Sequence, residues 1–131
     1  MTKLRVEQFL HEFTRWATDQ RDILGVALVG SYARGTATET SDVDLVVLAN
    51  QPELHLQERS WAEAFGKIVN QRVEDYGRLA SLRIEYADGL EVEYGFTDVS
   101  WASAPLDQGT REVILDGMKV LFEREPLLSS I

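Results

Sequence analysis

The chain has 131 residues, of which 44% are apolar and 27% charged, and this globular composition predicts a single domain over residues 1–131. It contains no cysteine, no signal-peptide segment and no run of about 18 apolar residues, so we expect a cytoplasmic protein without disulfides, thiolate metal sites or a membrane span. The net charge of −9, from 22 acidic and 13 basic residues, argues against a long nucleic-acid partner, because such proteins neutralise phosphates with Lys and Arg.

The first half of the chain alternates between helical and strand patterns. Apolar residues recur at helical spacing over residues 4–20, which predicts an amphipathic helix. Short apolar runs at 25–29 and 42–49 are typical of buried strands, and a turn with a short helix is expected between them over 31–37. An apolar stripe that follows Pro52 predicts a second long helix over 52–68.

Two strands are expected on either side of Asp88-Gly89, and their register follows from the loop length. A two-residue loop would set polar residues opposite apolar ones. A three-residue loop instead pairs Ile84 with Val92 and places Gly89 at the left-handed position that such a loop needs. We therefore predict the three-residue loop.

The last elements are a short helix and a strand. Thr110 is predicted to cap a helix that ends at Gly117, and residues 118–122 read as a final strand. The order α-β-α-β-α-β-β-α-β predicts an α/β (α+β) fold, with a mixed β-sheet and helices packed on it.

Two short motifs carry the candidate chemistry. Gly30 and Ser31 stand where a buried strand ends and a helix is expected to begin, and free backbone N–H groups at such a point attract phosphate. Asp42 and Asp44 lie at i and i+2, so strand alternation places both carboxylates on one face. Their mutual repulsion favours a cation between them, and Mg²⁺ binds one or two carboxylates together with triphosphate oxygens. Together the motifs predict a site for Mg²⁺ and a nucleoside triphosphate.

Gly30-Ser31, ten further residues and Asp42-Val43-Asp44 resemble the signature of the polymerase-beta-type nucleotidyltransferase superfamily. The run is most similar to small members, the minimal and the aminoglycoside or lincosamide nucleotidyltransferases. The resemblance implies transfer of a nucleoside monophosphate, usually AMP from ATP, to a hydroxyl of a small molecule or protein. It also implies that Gly30 and Ser31 hold the β- and γ-phosphates, and that Asp42 and Asp44 bind two Mg²⁺ ions.

The resemblance implies a third carboxylate on a neighbouring strand, which binds one metal and accepts the hydroxyl proton. Glu93 and Glu91 are the candidates, and Glu93 is preferred because it lies deeper in its strand. The alternative for Glu93 is a cross-strand ion pair with Arg83. Arg34 is expected either to bind the triphosphate through its guanidinium fork or to pair with a surface acid such as Glu39.

The acceptor is not readable from the sequence. We expect it to be held by the loops, by a second copy of the chain in a homodimer, or by another protein. Small members of the superfamily also act as antitoxins, so the resemblance leaves open that the chain mainly binds a small helical HEPN-type toxin. A nucleotide-binding domain with decayed catalysis is the third possibility.

Overall fold

The computed structural model describes residues 1–103 and 106–131, and their helices and strands follow the predicted order except for one additional strand and two 3-10 helices. The helices are α1 (Lys3–Thr18), α2 (Ser31–Arg34), α3 (Pro52–Gln57) and α4 (Gln108–Asp116), with 3-10 helices at Ser60–Phe65 and Val99–Ala102. The strands are β1 (Ile23–Val29), β2 (Val43–Ala49), β3 (Ile68–Asp75), β4 (Ala80–Tyr86), β5 (Glu91–Thr97) and β6 (Met118–Glu123). Within the described ranges, none of the helices is long and apolar enough to cross a bilayer.

All six strands form one sheet in the order β3-β4-β5-β2-β1-β6. Strands β2 and β5 are parallel, and the other neighbouring pairs are antiparallel. This mixed sheet confirms the predicted fold class. Because β1 and β2 are antiparallel while β2 and β5 are parallel, the end of β1 meets the starts of β2 and β5 at one edge.

The larger hydrophobic core lies between α1 and one face of the sheet. Thr2 caps the helix by accepting a hydrogen bond from the Arg5 N–H at 3.2 Å. Phe9 and Phe13 are fully buried, and the Phe13 ring lies 5.3 Å from that of Tyr94 on β5. Burial of one such ring contributes about 1.5–3 kcal/mol. Truncation of Phe13 to Ala also leaves a cavity, so it should cost about 3–5 kcal/mol of stability.

The opposite face of the sheet is only partly covered. Its smaller core contains Val46, Leu48, Trp101 and Leu128, all of them buried. This cluster packs on the centre of the face. A cavity lies beside it, over the ends of the strands where β1, β2 and β5 meet.

The predicted helix over 52–68 is wrong after Gln57. The backbone of the next residue is extended, and residues Ser60–Phe65 form a 3-10 helix. This break lets the Trp61 ring pack 4.9 Å from that of Tyr94, edge to face. Here tertiary packing overrides the helical pattern.

Strand β3 was not predicted at all. It is an edge strand whose central residues Asn70, Gln71 and Arg72 are polar and exposed, so it lacks the apolar alternation that marks a half-buried strand. It is held by its backbone ladder to β4, with Arg72 opposite Arg83.

The predicted hairpin register is confirmed, whereas the predicted helix cap is wrong. Ile84 pairs with Val92, and Gly89 has a φ of +95°. Helix α4 is capped by Asp107, whose Oδ1 accepts a hydrogen bond from the backbone N–H of Thr110 at 2.7 Å. The helix therefore begins earlier than predicted, and Thr110 is a buried residue of its first turn.

Candidate active site

The turn between β1 and α2 depends on a glycine. Gly30 has φ +73° and ψ −155°, a conformation open in practice only to glycine. A Cβ at this position would overlap Asp44 Oδ2 and lie 3.3 Å from Asp44 Cγ. The Gly30 carbonyl accepts hydrogen bonds from the N–H groups of Ala33 and Arg34, at 3.0 and 3.1 Å, and α2 therefore begins at Ser31. The turn that holds Gly30 and Ser31 is therefore pressed directly against a carboxylate.

Three strands bring the predicted carboxylates together. Asp44 is paired with Val29 on one side and with Glu93 on the other, and Asp42 lies just before β2. Burial, followed by the charge of Glu93, raises the pKa of Asp44 to about 7. Asp42 adds to the same repulsion. The edge of the sheet thus concentrates negative charge, which a cation would relieve.

Arg83 on β4 cross-links this cluster. Its Nη1 lies 2.6 Å from Asp42 Oδ2 and its Nη2 lies 2.9 Å from Glu93 Oε2. Its Nε lies 3.5 Å from Glu74 Oε1 on β3. The cross-strand pair of Arg83 with Glu93 is thus present, and it coexists with the position of Glu93 beside Asp44. One guanidinium does not balance the three carboxylates Asp42, Asp44 and Glu93, so the site stays negative.

Glu91 and Glu93 occupy different environments. Glu93 is half-buried, whereas Glu91 is exposed at the rim. A hydrogen bond with the Asp42 carboxyl, and then burial, raise the pKa of Glu91. Glu93 is therefore the deeper of the two carboxylates, as its place in the strand predicted.

Arg34 borders the cavity from α2. Its Nη1 lies 3.6 Å from Asp116 Oδ2 at the end of α4. The sequence offered Glu39 or another surface acid as the partner, and the structure pairs Arg34 with Asp116, because the end of α4 at Gly117 lies against the Arg34 side chain. Both side chains line the cavity, so Arg34 remains available to an anion bound there.

The cavity has a volume of about 560 Å³ and extends well beyond the predicted residues. Gly30, Ser31, Asp44 and Glu93 line one end. The remaining walls include Tyr76, Arg78, Leu79, Gly95, Trp101 and Thr110. The sequence did not indicate Tyr76, Arg78 and Leu79, because their turn joins β3, the strand that was not predicted, to β4.

The carboxylates suit a hard divalent cation by their chemistry. Asp42, Asp44 and Glu93 supply only oxygen ligands, the type that Mg²⁺ prefers. In the described part of the chain, no three His, Cys, Asp or Glu side chains are arranged as a formed metal cluster. Arg83 pairs with Asp42 and Glu93, whereas burial, followed by the charge of Glu93, raises the pKa of Asp44.

A glycine turn beside clustered carboxylates, on the edge of a mixed sheet, places the protein in the nucleotidyltransferase class. Residues 12–96 match the nucleotidyltransferase domain family, and the chain belongs to that family. The resemblance drawn from the sequence is confirmed.

Individual relatives agree with this assignment. The chain is similar to a putative protein adenylyltransferase of Methanocaldococcus jannaschii, with 27% identity over 110 residues, 79% of this chain and 61% of the relative. An aminoglycoside 6-adenyltransferase from Bacillus subtilis has a similar fold, with a TM-score of 0.59 and 18% identity over 78% of this chain and 37% of that one. The structure of a GLD-2/RNP-8 complex matches with a TM-score of 0.52 and 21% identity, over 73% and 34% of the two chains. This chain therefore spans less than two thirds of each of these proteins.

Proposed function

We propose that the chain catalyses Mg²⁺-dependent transfer of a nucleoside monophosphate, AMP from ATP, to a hydroxyl group of a protein or small molecule. The proposal rests on one juxtaposition, the Gly30-Ser31 turn against Asp44 and Glu93 in a single cavity. Membership of the nucleotidyltransferase family supports the reaction class. The name of the Methanocaldococcus jannaschii relative, a putative protein adenylyltransferase, supports AMP as the transferred group.

Each residue near the turn would then have a distinct role toward the triphosphate. Gly30 and Ser31 would hold the β- and γ-phosphates. Arg34 would exchange Asp116 for a phosphate oxygen, a favourable exchange because a half-exposed pair at 3.6 Å contributes little. A charge-assisted bond from a guanidinium to phosphate is stronger and can be bidentate.

Asp42, Asp44 and Glu93 would hold Mg²⁺, in the two-ion arrangement that the family resemblance implies. Bound Mg²⁺ supplies positive charge to phosphate oxygens during the displacement. Glu93 would accept the proton of the acceptor hydroxyl. Arg83 would give up Asp42 and Glu93 to the cation and keep its ion pair with Glu74, whose Oε1 lies 3.5 Å from the Arg83 Nε. The presence of all three carboxylates at one sheet edge favours retained catalysis over a decayed site.

The acceptor is proposed to be a protein side chain or a small hydroxylated molecule rather than RNA or DNA. With a net charge of −9, the chain repels a polyanion outside the immediate site. The relative's name supports a protein acceptor in particular.

Ligand-induced stabilisation tests the site. Saturating MgATP should raise the Tm of the wild type. At a hundredfold excess over Kd, the free energy of unfolding should increase by about 2.7 kcal/mol. The double variant Asp42→Asn with Asp44→Asn should fold but lose this shift. The control Asp19→Asn, an exposed acid after α1, should keep it. A double variant that retains the full shift would refute the metal site.

Transfer is then tested with labelled ATP and Mg²⁺ against mixed proteins, small hydroxylated compounds, and RNA and DNA oligonucleotides. We expect label on a protein or a small molecule and no elongated oligonucleotide. Efficient tailing at physiological salt would contradict the acceptor class.

A further inference from the structure

The strand pairing defines the two ends of the cavity. The turn with Gly30 and Ser31 follows β1, Asp44 lies on β2, Glu93 lies on β5, and Tyr76 lies in the turn that joins β3 to β4. Strand β4 begins at Ala80, which pairs with Phe96 near the end of β5, so the turn with Tyr76 lies toward the opposite end of the strands from Gly30. The cavity, which both ends line, therefore extends over the sheet from the Gly30 turn to Tyr76. The attacking and leaving oxygens of a phosphoryl displacement are roughly in line. If the β- and γ-phosphates lie at the first end, the acceptor approaches from the Tyr76 end.

Tyr76 already presents a hydroxyl at that end. The turn is closed by a hydrogen bond from the Tyr76 N–H to the Leu79 carbonyl at 2.8 Å. Tyr76 is 56% exposed, so its side chain can reorient without losing a buried contact. Its hydroxyl donates a hydrogen bond to Glu74 Oε2. That bond, followed by burial and the charge of Glu93, raises the pKa of Tyr76 to about 12, so the hydroxyl keeps its proton until a base removes it.

The other hydroxyl groups near the cavity are less suited to act as acceptors. Among the described lining residues, Tyr76 is the only tyrosine. Ser31 is already assigned to the phosphates, and Ser81 and Thr110 are only 1% and 2% exposed. Tyr86 and Tyr94 are buried in the core, where their hydroxyls bond each other at 2.7 Å.

Glu74 is placed to take the proton. Its Oε1 lies 2.8 Å from Arg72 Nε and 3.5 Å from Arg83 Nε, which orients the carboxylate and leaves Oε2 for the Tyr76 hydroxyl. Arg83 connects Glu74 to Glu93 at the centre of the site. A hydroxyl, its base and the candidate catalytic carboxylate thus form one connected group.

We propose that the protein adenylylates itself on Tyr76. The inference rests on the proposed nucleotidyl transfer and adds a defined acceptor to it. The phenol oxygen forms a bond to the α-phosphorus of ATP, and the bond from that phosphorus to the oxygen bridging the α- and β-phosphates breaks. Pyrophosphate leaves with the electron pair, and the phenol proton passes to Glu74, which its hydroxyl already contacts and which acts for this acceptor as the base in place of Glu93. The product carries AMP in a phosphodiester linkage to the Tyr76 oxygen.

Mass spectrometry tests this activity directly. The purified chain, incubated with ATP and Mg²⁺, should gain one AMP group, which peptide mapping locates on Tyr76. Tyr76→Phe should abolish the adduct, whereas Tyr32→Phe, at a tyrosine that packs against the core, should still form it on Tyr76. Because the acceptor belongs to the same chain, the first-order rate constant should not depend on protein concentration.

Glu74 provides the second arm of the experiment. Glu74→Gln should slow the modification by roughly 10²–10⁴-fold, the usual contribution of a general base. The matched change Glu85→Gln, at an exposed acid on the neighbouring strand β4, should leave the rate unchanged. Equal rates in both variants would overturn the role of Glu74.

The outcomes separate the two proposals. A wild type that MgATP stabilises but that gains no AMP overturns self-modification alone. An adduct on another residue, or on Tyr76→Phe, overturns the assignment of Tyr76. A wild type that MgATP does not stabilise overturns the proposed nucleotide site, and self-modification falls with it.

Discussion

Replacing Arg83 with Gln tests whether the carboxylate cluster depends on its internal cation. The substitution keeps a polar side chain, which ends near the position of the arginine Nε, but removes the charge and two short contacts, at 2.6 Å to Asp42 and 2.9 Å to Glu93. The carboxylates would then face one another without a counter-ion. In the absence of divalent cations, we expect the variant to be less stable than the wild type.

The expected loss follows from the contacts and their exposure. Hydrogen bonds to charged groups contribute about 1.5–3 kcal/mol each, so two fully buried bonds would contribute about 3–6 kcal/mol. The three side chains are 19–31% exposed, and solvent screening reduces this sum. A net loss of about 2–3 kcal/mol is expected, equivalent to a fall in Tm of roughly 6–12 °C for a domain of this size.

Denaturant unfolding in EDTA, repeated with Mg²⁺, measures the effect. The control is Arg72→Gln, because Arg72 lies opposite Arg83 on β3 but its side chain is 67% exposed and forms its ion pair with Glu74. The control should lose less than about 1 kcal/mol. Mg²⁺ should stabilise Arg83→Gln more than the wild type, since its carboxylates are free to bind the ion. Equal midpoints for the two variants in EDTA, or a smaller Mg²⁺ effect on Arg83→Gln, would refute this account of the cluster.

Three further predictions concern single positions in the site. Gly30→Ala should lose MgATP binding and about 1–3 kcal/mol of stability, whereas Gly35→Ala, with φ +77° but open space around it, should keep binding, as ligand-dependent Tm will show. The pKa of Asp44 is raised to about 7, so in EDTA the protonated carboxyl contributes fully to stability below the ordinary carboxyl range, and this contribution is lost as pH rises through 7. Asp44→Asn should flatten the decline of the unfolding free energy with pH, and an unchanged decline would contradict the assignment. Glu93→Gln should keep nucleotide binding but lower transfer by roughly 10²–10⁴-fold in a labelled-ATP assay, and the idea fails if Glu91→Gln has the larger effect.

Local features of the site were predictable from the sequence. A glycine between a buried strand and a helix, and two aspartates at i and i+2 on the next strand, depend only on neighbouring residues and on strand periodicity. The hairpin register was predictable for the same reason, because Gly89 and the apolar alternation allow one pairing. These features identified Gly30, Asp42 and Asp44.

Only the tertiary structure decided how distant segments meet. The parallel pairing of β2 with β5 sets Asp44 beside Glu93, and Arg83 reaches Asp42 across 41 residues of sequence. Strand β3 is an edge strand with a polar sequence, so its pairing with β4, and with it the Tyr76 end of the cavity, has no local signature. Such contacts form because burial of the apolar faces of the strands offsets the entropy lost when the chain closes loops between distant segments. The free energy of this burial is a property of the whole core and not of any single segment.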